Sequence, residues 1–291
     1  MAALSASRAG TQRRPRGFRL SLQPLVVWVL LIAGSFCFAV PFIWMVSTSL
    51  KLDRQIFRTP PVWIPHPFVW ENYRRAITEF PFALYLRNTL FITGMAMAGN
   101  LISATLVAYS FARLRWPGRQ VCFMILLSTM MLPYQVTMIP TFILFQKIGW
   151  VNTFLPLIVP GWFGPPFYVF LLRQFFLTIP RELADAATMD GADEFTILAR
   201  VVVPLSGPAL ATVAIFAFVS HWNSFLGPLI YLNKKAYFTL SLGLMTFRSQ
   251  YTTDFSALMA ASALVLMPIL VLFFVAQKYF VQGIVLTGIK A

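Results

Sequence analysis

The carboxylates of this chain are concentrated in one short stretch. Of nine acidic residues in 291, five lie within thirteen consecutive positions: Glu182, Asp185, Asp190, Asp193 and Glu194. No cysteine and histidine spacing typical of a metal site accompanies them, because the chain has only two residues of each type. Two interpretations remain open: acids that only solvate a loop, and a surface that a partner protein grips.

Motifs of enzymes are missing from the sequence. It contains neither a G-x-x-x-x-G-K-[ST] phosphate loop nor an H-E-x-x-H pair, and His66 and His221 are far apart along the chain. No apolar run holds the two aspartates that an intramembrane aspartyl protease would need. We therefore expect a non-enzyme without cofactor or metal, with any ATP chemistry located in a partner.

A second group of polar residues lies within apolar runs, where an amide or imidazole could contact a solute. His221, Trp222 and Asn223 form one such group, because aromatic faces stack on sugars and amides bind hydroxyls. Further candidates are Asn100 with Ser103, and Tyr134 with Gln135 beside Pro133. The alternative is hydrogen bonding between membrane helices, which Asn and His commonly provide.

The composition places these residues in a membrane protein. The chain is 58% hydrophobic and 11% charged, whereas soluble domains are about 45–50% apolar and about 25% charged. The pattern predicts an all-α membrane protein with six transmembrane helices, each long enough to cross about 30 Å of hydrocarbon. The predicted spans are 24–50, 88–112, 120–146, 152–178, 205–232 and 257–280. The net charge of +14 is typical of membrane topology and does not indicate a nucleic-acid partner, since the aromatics lie inside apolar runs.

Basic residues predict the orientation. Residues 1–23 form an acid-free, arginine-containing arm, and the loop 112–120 is also basic and acid-free, so both are expected on the cytoplasmic side. Both termini are then cytoplasmic, 51–87 is an external segment, and 88–291 is a five-helix core. No Asp, Glu, Lys or Arg lies centrally in a predicted span, so the chain lacks the groups that ion-coupled carriers use. Energy for uphill transport must enter elsewhere.

The polar segment 180–204 then faces the cytoplasm between spans four and five. The sequence predicts a helix that begins near Glu182 and stops at Gly191, a residue suited to the left-handed position after a helix. Leu183, Ala186, Ala187 and Asp190 are spaced to share a shallow face. A second helix is expected from Asp193, with Phe195, Leu198 and Val202 on one face and an interruption at Pro204.

The order of these residues resembles the EAA loop of bacterial ABC importer permeases. That loop has a Glu, two Ala, an Asp-Gly-Ala and a later Pro, which correspond here to Glu182, Ala186, Ala187, Asp190, Gly191, Ala192 and Pro204. The family's Glu-Ala-Ala reads Asp185-Ala186-Ala187 in this chain, which keeps the carboxylate on a shorter stem. Two further segments are similar to the corresponding regions of carbohydrate-importer permeases, the group that includes the smaller membrane subunit of maltose-type transporters. They are "HWNSFLGPLIYLNKKAYFTLSLGL" (221–244) and "QKYFVQGIVLTGIKA" (277–291).

The resemblance implies a function and a set of partners. A second permease subunit, two copies of a cytoplasmic ABC ATPase and an external solute-binding protein would complete an importer in the bacterial cell membrane. The ATPase would grip a coupling helix, with Phe195 packing beneath its turn, and a carbohydrate would cross by alternating access. The coupling residues would be Glu182, Asp185, Ala186, Ala187, Asp190, Gly191, Phe195 and Pro204. Alternatives are a glycerol phosphate ester or polyol as solute, or a channel or facilitator that needs no ATPase.

Overall fold

The expected all-helical architecture is what the computed structural model shows. It describes residues 22–79, 81–247 and 254–288, and every regular element within these ranges is a helix or helical turn. Most of the predicted basic arm 1–23 lies outside the described residues. The α-helices are α1 (Leu22–Ser49), α2 (Asp53–Ile56), α3 (Glu71–Thr78), α4 (Phe82–Ala112), α5 (Arg119–Ser128), α6 (Tyr134–Lys147), α7 (Leu155–Ile158), α8 (Pro166–Thr178), α9 (Arg181–Met189), α10 (Glu194–Ile197), α11 (Val203–Leu205), α12 (Gly207–Trp222), α13 (Leu226–Tyr231), α14 (Leu240–Gly243) and α15 (Phe255–Gly288).

Four stretches of helix in the described ranges are long and apolar enough to cross a membrane. They are Val26–Ser49, Phe82–Ala112, Leu155–Thr178 and Phe255–Gln277. The predicted number of six is reached only if each of two bent pairs counts as one span. α4 begins at Phe82, six residues earlier than the predicted residue 88.

The first bent pair replaces the predicted span 120–146. Arg119–Met131 and Tyr134–Lys147 meet at 99°. Leu132 and Pro133 have extended backbone at the break, because proline disfavours helical backbone in the residue before it and brings no N–H to the next turn. The proline therefore breaks the helix here, beyond the kink that the sequence suggests.

The second bent pair alters the predicted span 205–232. Glu194–Leu205 and Gly207–Trp222 meet at 82° around Ser206, whose backbone leaves the α conformation. The long helix α12 ends at Trp222, and α13 follows as a separate short helix. The second helix of the polar segment is thus joined directly to a membrane helix through a sharp corner.

The chain divides into two compact units, Met1–Trp44 and Met45–Ala291. In the described part of the first unit, side chains from Val26 to Phe38 are exposed or half-exposed, as for a helix whose surroundings are lipid or another protein. The second unit holds both apolar cores.

α4 lies at the centre of the larger unit. Ala96, Ala104 and Ala108 on this helix are completely buried, and such small residues let neighbouring helix backbones approach closely. One core joins the C-terminal half of α4 to α8, α12 and the turn Leu198–Val202. The other joins its N-terminal half to Trp222 and to the start of α15. Both candidate sites lie along this helix.

Candidate functional site

The first candidate site is α9, whose end is fixed by glycine. Gly191 has φ +84°, a left-handed conformation that glycine adopts without steric cost. The N–H of Ala192 donates to Ala187 O at 2.9 Å, and the N–H of Gly191 donates to Thr188 O at 3.0 Å. This pair of bonds is a Schellman motif, which satisfies carbonyls that lose their helical partners. The predicted helix and its stop at Gly191 are confirmed.

The exposed face of α9 differs by one residue from the predicted face. Leu183, Ala186 and Asp190 are exposed, as is Met189, which is 88% accessible. Ala187 is half-buried and packs against the apolar core of its own chain. Ala187, which its spacing grouped with the exposed residues, therefore lies toward the inner side of the helix. Glu182 and Asp185 are exposed.

The turn after α9 leads into α10 through an acidic cap. The carboxylate of Asp193 accepts the N–H of Thr196 at 3.0 Å, and hydrogen bonds from Thr196 lower the pKa of Asp193 below its ordinary value. An ionised N-cap satisfies an amide that has no helical partner and complements the helix dipole. The sequence expectation that the second helix begins at Asp193 is confirmed.

The second helix buries two of the three residues that were predicted to share one face. Leu198 and Val202 are buried, together with Ile197, but Phe195 is 68% exposed. Within this chain Phe195 does not pack beneath Gly191. The helical turn that follows, Leu198–Val202, is a π-turn, so the regular helical spacing on which the shared face was predicted does not hold through this segment. Pro204 is exposed and lies one residue before the helix ends at Leu205.

Two side chains of α4 reach the polar segment. The hydroxyl of Tyr109 donates to Glu194 Oε2 at 2.5 Å. Arg113 donates from Nη2 to the carbonyls of Phe176 at 2.6 Å and Ile179 at 2.5 Å. Burial lowers the pKa of Arg113, with a further lowering from the charge of Arg181. Arginine nevertheless remains charged at neutral pH, so its guanidinium can bind the carbonyls at the end of α8.

A polar cavity of about 570 Å³ lies between α9 and the end of α4. It is lined on one side by Arg113, Arg115 and Trp116, and on the other by Asp185 and Thr188. The cavity separates much of α9 from the loop beneath it. α9 therefore touches the rest of the chain mainly through the alanines of its inner face and through its two ends.

The second candidate site lies midway along α4. Asn100 Nδ2 and His221 Nε2 are 2.9 Å apart, and Asn100 is only 2% exposed. Because the amide N–H donates, Nε2 accepts and the ring is neutral. Within the described residues, Asn100 Oδ1 has no hydrogen-bond partner. The oxygen lies against Gly161, where a Cβ would come within 2.7 Å of it.

The chain segment beside Asn100 is a break in the membrane helix between α7 and α8. Ser103 Oγ donates to Gly161 O at 3.1 Å and accepts the N–H of Gly164 at 3.0 Å. Trp162 packs against Gly99 so closely that a Cβ there would lie 2.4 Å from the indole ring. The break thus has specific partners on α4, as irregular backbone at membrane depth requires.

A cavity of about 800 Å³ opens beside this break. Its polar lining comes from Asn100, Thr129, Tyr168, Ser220 and His221, and no charged side chain is among the described residues that line it. The rest is apolar, including Phe163, which is 80% exposed. Ser220 and Tyr168 were not predicted from the sequence; the glycine and proline run 160–166 was the available signal of a break.

The structure brings together only two of the predicted pathway residues. Asn100 and His221 share this cavity. Trp222 is 1% exposed, donates to Val265 O at 3.1 Å and stacks on Phe218, so it packs between α12 and α15 and does not line the cavity. Asn223, Tyr134 and Gln135 are exposed but do not line the cavity.

The family model for "binding-protein-dependent transport system inner membrane component" matches residues 75–286. The chain belongs to this family. The matched region contains both candidate sites, because α4, α9 and the residues that line the 800 Å³ cavity all lie within it. The resemblance to carbohydrate-uptake ABC permeases drawn from the sequence is confirmed, as is a multi-pass membrane protein.

Relatives of this chain include permeases that are named for sugar transport. The arabinooligosaccharides transport system permease protein AraQ of Halalkalibacterium halodurans is 32% identical over 92% of this chain and 98% of its own. The diacetylchitobiose uptake system permease protein DasC of Streptomyces coelicolor is 30% identical over 92% and 96%, respectively. Among solved structures, a bacterial ABC transporter involved in import of the acidic polysaccharide alginate matches with TM-score 0.79 and 26% identity, covering 89% of this chain and 96% of that chain.

Proposed function

We propose that this chain is a transmembrane permease subunit of an ATP-driven carbohydrate importer. The observation that carries the proposal is α9, a short exposed helix that ends before Gly191 and is connected through α10, α11 and the corner at Ser206 to the membrane helix α12. The membership of the family and the sugars named for its relatives support the solute class. α9 is named the coupling helix from here on.

The coupling helix offers a cytoplasmic ATPase an exposed face. Glu182, Asp185 and Asp190 supply carboxylates to polar or basic groups of the ATPase, and Ala186 lets the two surfaces approach closely. Gly191 sets the turn, and Pro204 stands at the corner before α12. Ala187 supports the helix from within, and Phe195, being exposed, contacts a partner in the assembled transporter.

The assembly required is larger than this chain. A second permease subunit completes the pathway, two ABC ATPase copies hydrolyse ATP, and an external binding protein delivers the solute. Both termini and the polar segment 180–204 face the cytoplasm, 51–87 is external, and 88–291 forms the permease core. Closure of the ATPase pair moves the coupling helices and switches the spans between inward- and outward-facing states.

The solute is expected to meet the cavity beside Asn100 and His221. Its described lining offers amide, imidazole and hydroxyl groups with aromatic faces and no charge, which suits a sugar's hydroxyls and ring faces. A glycerol phosphate ester would bring a charge that these residues leave unpaired, at substantial cost. The lining therefore favours an uncharged saccharide over the phosphate ester.

The test is purification of the tagged chain from its own host with associated proteins. An importer subunit retains an ATPase and a second permease, and uptake of sugar by cells ceases when the chain is deleted. A channel or facilitator instead conducts solute when the chain alone is reconstituted into liposomes. Conduction by the isolated chain, with no ATPase recovered, would refute the proposal.

A further inference from the structure

The last turn of α4 holds both ends of the coupling helix. Tyr109 lies in this last turn, and Arg113 is the C-cap residue directly after it, four positions later, so both side chains lie at one end of α4. Arg113 binds the carbonyl of Ile179, two residues before the coupling helix begins, and Tyr109 binds Glu194, three residues after Gly191. The segment between these bonds is a loop whose entrance and exit are fixed to a single helical turn.

Each bond is of a strong kind. Tyr109 is 5% exposed, and its hydroxyl donates to a carboxylate, which gives a shorter and stronger bond than a neutral acceptor. Arg113 donates to two carbonyls at the end of α8, with a positive charge at the negative end of the helix dipole. Both contacts stiffen the connection of the coupling helix to α4.

Elsewhere the coupling helix is supported weakly. The polar cavity of about 570 Å³ separates it from residues 114–116, and its inner contacts are made by the small side chains Ala184 and Ala187. A force applied to its outer face therefore reaches α4 through the polar bonds at its two ends and through the apolar core that holds Leu198 and Val202. Of the two polar bonds, the Tyr109–Glu194 bond is the one on the side of the loop that leads into α12.

α4 carries such a movement into the membrane. Tyr109 and Asn100 are nine residues apart on one uninterrupted helix, or about 14 Å at 1.5 Å per residue. Asn100 bonds His221 of α12 and lines the 800 Å³ cavity. α4 is thus bonded to Glu194 of α10 at the level of the coupling helix and to His221 of α12 at the level of the cavity.

We infer that Tyr109 is a positioning residue for coupling: its bond to Glu194 makes α4 follow the coupling helix and so changes access to the membrane cavity. The inference rests on the proposed function. It assigns the transmission of force to a hydroxyl–carboxylate bond behind the docking face, where no ATPase group needs to touch it.

A native cysteine reports on the cavity. Cys122 is exposed and lines the 800 Å³ cavity, and Cys37 is the second of only two cysteines. In a Cys37→Ser background, the transporter is purified with its own partners, and the labelling rate of Cys122 by N-ethylmaleimide is measured by mass spectrometry. The measurement is made without nucleotide and after trapping with MgATP and vanadate.

The parent complex is expected to change its labelling rate at least about fivefold on trapping, the lower end of typical coupling between sites. Tyr109→Phe keeps the ring and removes the bond, so the change in labelling rate is expected to fall below about twofold while ATPase recovery, basal hydrolysis and Tm are retained.

Four further variants serve as controls. Glu194→Gln keeps an acceptor for the Tyr109 hydroxyl and is expected to keep most of the change in labelling rate. Glu194→Ala matches Tyr109→Phe, and the double variant is no worse, as for two residues of one interaction. Tyr237→Phe, which removes a hydroxyl beside Phe154 far from the coupling helix, leaves the response intact.

A full response in Tyr109→Phe and Glu194→Ala would overturn the inference, as would no response in the parent complex. Failure of the proposed function is distinguishable, because it would appear as the absence of a co-purified ATPase before any variant is made. A lower Tm in both single variants, Tyr109→Phe and Glu194→Gln, would assign the bond to folding alone and would also overturn the inference.

Discussion

Asn100 and His221 are hydrogen-bonded at 2.9 Å across 121 positions of the chain. The bond joins α4 to α12 beside the larger cavity, and the oxygen of the buried Asn100 amide lies against Gly161. His221 is therefore both an interhelical contact and a wall of the cavity.

His221→Leu is expected to lower both stability and transport. The substitution leaves the amide of Asn100 without its partner, and a buried unsatisfied polar group costs about 1–3 kcal/mol. His221→Gln, which can still accept the Asn100 N–H, should recover most of the Tm. Thermal unfolding of the detergent-purified chain measures the first effect and sugar uptake by cells the second. Equal Tm values for the Leu variant and the parent would contradict this role.

Gly99 is expected to tolerate no side chain. A Cβ there would lie 2.4 Å from Trp162, and overpacking of this kind costs about 1–3 kcal/mol. Gly99→Ala should lower the Tm, whereas Gly94→Ala on the same helix should not, because a Cβ at Gly94 meets nothing within 4 Å. Adding Trp162→Ala should relieve part of the loss. Similar unfolding temperatures for the two alanine variants would show that Trp162 moves aside freely.

Ala186 and Ala187 provide a matched pair for the docking face. Ala186 is exposed and Ala187 is half-buried against the core. Ala186→Trp should reduce recovery of the ATPase with the purified chain by at least about tenfold, since roughly 1.4 kcal/mol is enough for that factor, and leave the Tm unchanged. Ala187→Trp should lower the Tm by overpacking. Full ATPase recovery with Ala186→Trp would place the docking surface elsewhere.

Gly191 is expected to tolerate asparagine better than valine. At φ +84° a side chain meets no neighbouring atom, so the cost is backbone strain alone, about 1–2 kcal/mol for an ordinary residue. Gly191→Val should fray the end of the coupling helix and reduce sugar uptake, while Gly191→Asn should retain most of it because asparagine adopts this conformation more readily. Hydrogen exchange at residues 187–192 measures the fraying. Identical exchange in the two variants would argue against strain as the cause.

Much of this arrangement follows from local sequence. Long apolar runs require helices in a membrane, because every backbone group must be bonded internally. The helix before Gly191, its left-handed stop and the start at Asp193 depend on residues within one or two turns of each other, so the pattern of Glu, Ala, Asp and Gly is sufficient to predict them.

The tertiary structure decided which faces are available and which distant groups meet. Ala187 and Phe195 exchanged their expected surroundings, because the side that packs on α4 and α8 is set by neighbours that periodicity cannot identify. The bonds of Tyr109 with Glu194 and of Asn100 with His221 join residues 85 and 121 positions apart. Such contacts depend on how α4 packs against its neighbours, and small side chains at Ala96 and Ala104 are what allow that close packing.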